Sequence, residues 1–181
     1  MLIYFYQFHS IFRMPIYKQT YFNNKLNSLI PVKWQFLLLN EGSFTKILNF
    51  INAKQVILKK FQTNNCTLKN NRYLRYIWIE NCLYTKMIFA RSLWQLRYKN
   101  DNKLKKQLIN HMPIGTSIIK FENDVYKQIH EIYYGYCIQL ENKIHYNQPI
   151  WGRKYTLHYN HELFVTIQEF FSPYITEFFN N

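Results

Sequence analysis

Residues 162–171 read ELFVTIQEFF, and their pattern decides what kind of structure this chain builds. Side chains alternate faces along a β-strand, so Leu163, Val165, Ile167 and Phe171 share one apolar face. Glu169 falls on that same face. An ionised carboxylate among apolar side chains is costly unless something pairs with it. The stretch therefore predicts a strand, and it predicts a buried partner for Glu169 elsewhere in the chain.

Working outward, strands are also expected in KQVILKKFQ (54–62), RYLRYIWIEN (72–81), YTKMIFARSLW (84–94), VYKQIHEIYYGYCIQL (125–140) and RKYTLHYN (153–160). TNNCTLKNN (63–71) reads as a polar loop. Helical spacing lies earlier. Pro31 opens a short helix carrying Val32, Gln35, Phe36 and Leu39. Ser43 is placed to cap a second, with Phe44, Ile47, Leu48 and Ile51 on one side. NDNKLKKQLINH (100–111) is a third, ended by the Pro113 and Gly115 of MPIG (112–115). Helices first, then strands joined by short turns, favour an α+β fold: an antiparallel sheet with helices packed on one side.

Alternation applied to the other strands finds two more charges. Arg75 shares a face with Tyr73, Ile77 and Ile79, and Arg91 with Met87, Phe89 and Leu93. Arginine stems lie well along apolar surface, so one such position carries little. Three strands repeating the pattern point to a buried polar site, where two guanidiniums and one carboxylate suit an anionic ligand.

Composition is consistent with a small-molecule protein. The chain has 181 residues, 48% hydrophobic and 19% aromatic, enough for one real core. Its formal charge of +13 comes from scattered lysines, with no basic helix or aromatic–basic platform, so no nucleic-acid partner is expected. Abundant Lys, Asn, Ile, Tyr and Phe instead suit an A+T-rich coding genome. Cys66, Cys82 and Cys137 lack Cys-x-x-Cys spacing and read as free thiols in a reducing compartment. The apolar N-terminus is too short to span a bilayer. Residues 1–30 are expected to be an extension supplying an edge element or tail, and 31–181 a single, monomeric domain. His158 and His161 have no third ligand beside them, so no metal is expected. In a glycine-poor chain, Gly42, Gly115 and Gly152 are expected where φ is positive or backbones approach closely.

Six stretches, LLLNEGSFTK, RYLRYIWI, IFARS, MPIG, IWGRK and QEFFSP, occur in the order found in the chorismate pyruvate-lyase family, which the chain resembles over about Leu37 to Pro173. More closely, it resembles the plastid-encoded conserved open reading frame of that family. The resemblance implies an approximately six-stranded antiparallel sheet around an enclosed ligand pocket. It implies cofactor-free removal of pyruvate from chorismate, giving 4-hydroxybenzoate for prenylquinone synthesis in the plastid stroma. By motif, Arg75 resembles the arginine that binds the ring carboxylate, and Phe44 the helix-start residue whose amide assists. Ile114 resembles the residue whose amide meets the hydroxyl end, Glu169 the essential glutamate there, and Arg91 a contributor to the enolpyruvyl carboxylate. Arg153 matches a family position without an assigned task. The alternative is a non-catalytic module of the same fold that binds aromatic carboxylates.

Overall fold

In the computed structural model, the residues described are 7–16, 29–51, 57–60, 66–68, 72–81, 83, 85–96, 125–159 and 163–179. Their backbone is dominated by one antiparallel sheet of eight strands. β1 (His9–Pro15), β4 (Arg72–Glu80), β5 (Lys86–Leu96), β6 (Val125–Tyr136), β7 (Ile150–Tyr159) and β8 (Leu163–Phe171) are its six long members. β2 (Ile57–Lys60) and β3 (Cys66–Leu68) are short and both pair with β4. The order across the sheet is β1-β6-β7-β8-β5-β4-β2. The expected α+β architecture is borne out, with six long strands and two short additions. β3 lies inside the stretch read as a polar loop. The N-terminal segment contributes an edge strand, β1 paired to β6.

Two helices, α1 (Val32–Leu38) and α2 (Phe44–Ile51), and a 3-10 helix (Pro173–Phe179) cover one face. The core there joins Leu37, Leu38, Phe44, Leu48 and Ile175 to Ile77, Ile79, Ile88, Ala90, Val165, Ile167 and Phe171 of the strands. Helix α1 turns differently from its expected spacing: Leu37 and Leu38 are buried, whereas Val32 and Phe36 face outward. Position along the helix is decided by the Leu37–Leu38 pair, which the sheet takes in.

The other face is apolar as well. Tyr76, Trp78, Phe89, Tyr133, Ile150 and Phe170 form a second cluster with Leu140 and Ile144 of helix α3 (Ile138–Ile144). The sequence suggested one strand through residue 140; instead β6 ends at Tyr136. Cys137 takes an extended conformation as N-cap, and its N–H donates to the Glu141 carboxylate at 2.7 Å. A free N-terminal donor is thereby satisfied.

Two close approaches explain two glycines. A Cβ on Gly135 would lie 2.2 Å from the His9 carbonyl oxygen, so β1 could not pair there with any larger residue. A Cβ on Gly152 would lie 2.1 Å from the Tyr133 ring and 2.6 Å from the Glu169 carbonyl oxygen. Tyr133 lies across Gly152 and donates its hydroxyl to the carbonyls of Arg153 (3.0 Å) and Glu169 (3.1 Å). The glycine of the IWGRK stretch thus lets an aromatic ring brace two site residues from behind. Close approach, not positive φ, is the reason.

Candidate functional site

Strand register decides which charges meet. Across β4, β5, β8, β7 and β6, one row on the helix-covered face runs Ile77, Ala90, Glu169, Arg153 and Ile132. The next runs Arg75, Ser92, Ile167, Tyr155 and Ile129. Arg75 and Glu169 therefore share a face, with β5 between their strands. From strand spacing and rise, their backbones are roughly 12 Å apart. Both are buried, Arg75 at 9% and Glu169 at 5% exposure.

The partner of Glu169 is Arg153. Its Nε donates to Glu169 Oε2 at 2.8 Å, while Tyr155 donates its hydroxyl to Oε1 at 2.8 Å. Both carboxylate oxygens are thus engaged. Arg153 is fully buried, and its Nη1 also donates to the carbonyls of Leu37 (2.9 Å), Leu38 (3.2 Å) and Asn40 (3.0 Å) at the end of α1. Those carbonyls have no partner within a helix, and the helix dipole favours a cation beside them. The guanidinium carbon lies 5.6 Å from the Phe44 ring centre, 5.1 Å from Tyr155 and 5.5 Å from Phe171. One side chain thereby joins β7 to β8, to the end of α1 and to the first residue of α2.

Lys127, on β6, completes the group. Its Nζ donates to the carbonyls of Asn40 (3.0 Å) and Gly42 (3.3 Å) and sits 4.3 Å from the Tyr155 ring centre. A register shift between Ile129 and Glu131 makes this possible. Before it, Lys127 and Ile129 point to the site; after it, Ile132 does, and Tyr133 faces the other way.

The charges follow from these contacts. Burial pushes the Glu169 carboxyl up, but Arg153, Lys127 and the hydrogen bonds from Arg153 and Tyr155 outweigh it and hold the group below the usual carboxylate range. Burial, then Glu169, push the Tyr155 phenol well above 10. Burial, then the charge of Arg153, bring the Lys127 ammonium down from 10.5 to about 7, against the pull of Glu169 and Glu41. Burial lowers Arg75 also. Around neutral pH the face thus offers one carboxylate, two guanidiniums and a lysine close to its midpoint. Such a positive excess suits an anion.

Three polar atoms at this junction are buried without a partner among the described residues: Arg153 Nη2, Asn40 Oδ1 and Ser43 Oγ. The Ser43 carbonyl accepts the first helical bonds of α2, from Lys46 (3.1 Å) and Ile47 (3.3 Å), as a cap should. Its hydroxyl does not cap.

Of the residues expected at the site, Arg75, Phe44 and Glu169 share this face. Ile114 and Gly115 lie outside the described residues, as does the helix expected at 100–111. Arg91 does not join the others. The ladder sets it opposite Tyr76 and Gln168, on the second face, where its Nε donates to Gln168 Oε1. Alternation placed it correctly with Phe89 and Leu93, but that apolar face is the one under α3. Arg153 entered only as a family position without an assigned task and Lys127 not at all, although alternation sets both among apolar neighbours. Arg153 alternates with Trp151, Tyr155 and Leu157, and Lys127 with Val125 and Ile129.

Among the described residues, no group of three His, Cys, Asp or Glu side chains could hold a metal ion, and no helix is long and apolar enough to cross a membrane.

Comparison with known proteins bears out the family resemblance. The protein named "Uncharacterized protein ycf21" from Antithamnion sp. is 42% identical over 159 residues, covering 86% of this chain and 87% of its own. Its namesake from Porphyra purpurea is 35% identical, with 84% and 87% covered, and that from Cyanophora paradoxa 29%, with 82% and 81%. The family described as "Chorismate pyruvate-lyase Rv2949c-like" matches residues 38–179, from α1 through the 3-10 helix, and with that match across the site-bearing strands the chain belongs to that family.

Proposed function

We propose that this protein removes pyruvate from chorismate to give 4-hydroxybenzoate. The observation that carries the reading is the Glu169 carboxyl group, fixed between Arg153 and Tyr155 on the same buried face as Arg75. Chorismate is a dianion. Arg75 is assigned to its ring carboxylate, assisted by the first amide of α2 at Phe44; the amide of Ile114 and Glu169 are assigned to the hydroxyl end.

The chemistry needs little from the protein. The C3–O ether bond breaks, C4 loses its hydrogen, and the ring becomes aromatic. The enolpyruvyl fragment gains one hydrogen and leaves as pyruvate, so atoms balance without a cofactor. A carboxylate held below its usual range is a poor base but a strong hydrogen-bond acceptor. Glu169 therefore accepts from the C4 hydroxyl and fixes the ring, while the cations of the face steady charge on the departing oxygen. Orientation and electrostatic stabilisation supply the rate. The product would serve prenylquinone synthesis, with the protein acting as a monomer in the plastid stroma.

The test is to incubate the purified protein with chorismate and follow 4-hydroxybenzoate and pyruvate by chromatography. Both should appear in equal amounts, and Arg75→Ala and Glu169→Ala should each lower the rate by roughly 100-fold or more. Binding of 4-hydroxybenzoate without turnover would instead select the non-catalytic binding module. Neither binding nor turnover would end both readings.

A further inference from the structure

Lys127 has no individual assignment in the elimination just described, yet it stands half-buried beside the site's ion pair. A lysine whose ammonium is spent on backbone carbonyls rather than on water holds those carbonyls in place. Its ammonium spans the two carbonyls, Asn40 and Gly42, that lie between α1 and α2. Arg153 grips the same link one step earlier, through Leu37, Leu38 and Asn40. The link ends at Phe44, whose amide is assigned to the ligand. Both cations rest on the Tyr155 ring, and that ring's hydroxyl holds Glu169.

We infer that Lys127 is a positioning residue of this site, holding the α1–α2 junction in register with the Glu169–Arg153 pair. The charged groups facing it are Arg153 and Glu169 from β7 and β8, and Glu41 from the junction. Tyr155 is neutral there. With the site empty, the loss of water and then the repulsion of Arg153 bring the Lys127 ammonium down to about 7, against the pull of Glu169 and Glu41. An anionic ligand adds negative charge on the same face, so the lysine takes up a proton and tightens on the two carbonyls. Binding would then close the junction over the ligand and link site occupancy to pH. Lys127's response to an anion rests on the ligand assigned above; its hold on the junction does not.

Two measurements on the full chain separate these. Hydrogen exchange of the amides at 40–46 should quicken by roughly tenfold in Lys127→Met, where losing the two bonds to the Asn40 and Gly42 carbonyls opens the junction, and stay near wild type in Lys127→Arg. Unchanged exchange in Lys127→Met would overturn the inference whatever the ligand. Calorimetry with 4-hydroxybenzoate at pH 8, in two buffers of different ionisation enthalpy, should show proton uptake on binding to the wild type. Lys127→Arg should bind without uptake, and Lys127→Met should bind about tenfold more weakly, also without uptake. Uptake persisting in Lys127→Met would overturn the coupling. A wild type that binds no aromatic acid would refute the lyase reading, and the exchange result would still decide the junction.

Discussion

The two faces of the sheet carry the same kind of residue in two different states. On the helix-covered face, Arg153 is fully buried, pairs with a buried carboxylate and holds three helix-end carbonyls. On the α3 face, Arg91 is half-buried and bonds the neutral Gln168 amide. Both alternate with apolar neighbours. What separates them is the backing: α1 and α2 close over the first, and the carbonyls of their junction become its partners. A charge on an apolar strand becomes part of a site when the layer above supplies polar groups to meet it.

Replacing each arginine tests this contrast most directly. Arg153→Met would leave Glu169 buried without its counter-ion and strip the α1 carbonyls of their donor. Breaking a buried pair from one side costs about 3–5 kcal/mol, so urea denaturation should show a loss of that order or failure to fold. A loss under about 1 kcal/mol would mean the pair is not desolvated as described.

Gly152→Ala attacks the brace between the faces. The added methyl meets the Tyr133 ring, which can shift, and the Glu169 carbonyl, which cannot without moving the ladder. Overpacking of this kind costs about 1–3 kcal/mol, read as a lowered melting temperature. Adding Tyr133→Ala to Gly152→Ala should relieve only the ring's share.

Acid sharpens the comparison next. Glu169 has a folded value below its ordinary 4.5, so the unfolded chain binds its proton first as pH falls. Its contribution to stability is fully present above 4.5 and is lost as pH drops through the lower folded value. Lys127 works in the opposite range. Folded near 7 against 10.5 unfolded, it makes the native state bind fewer protons between those values. Stability should therefore rise with pH from about 7 upward, and Lys127→Met should flatten that limb. Denaturation midpoints across pH, compared with Glu169→Gln for the acid limb, check both.

The smallest effect is expected at Arg91. Arg91→Met gives up one hydrogen bond to a neutral amide at a half-exposed position, so about 1 kcal/mol or less is lost. A loss matching Arg153→Met would erase the distinction between the faces.

The residues themselves say how far the sequence could be read. Leu163, Val165 and Ile167 marked β8 and put Glu169 on an apolar face, and Ile77 and Ile79 did the same for Arg75. Alternation gives a strand two sides, however, and here both sides are buried. Nothing in YTKMIFARSLW says that Arg91 faces α3 while Ser92 faces α1 and α2; that follows from the Arg75–Ser92 pairing. Lys127 was harder still, because the shift at Ile129–Glu131 changes which parity faces the site midway along one strand. The end of β6 depended on Cys137 and Glu141 closing a helix start within a run that reads as apolar strand.

By itself, the sequence determined the α+β class, the strands around Glu169 and Arg75, and the family, because alternation and local turn residues act over a few positions along the chain. Tertiary structure alone decided that Arg153 is the partner of Glu169, that Lys127 and Tyr155 complete the network, and that Arg91 stands outside it. Those assignments depend on register between strands and on which layer covers which face. Both are set by contacts between residues as far apart as Leu37 and Arg153, which no local pattern records.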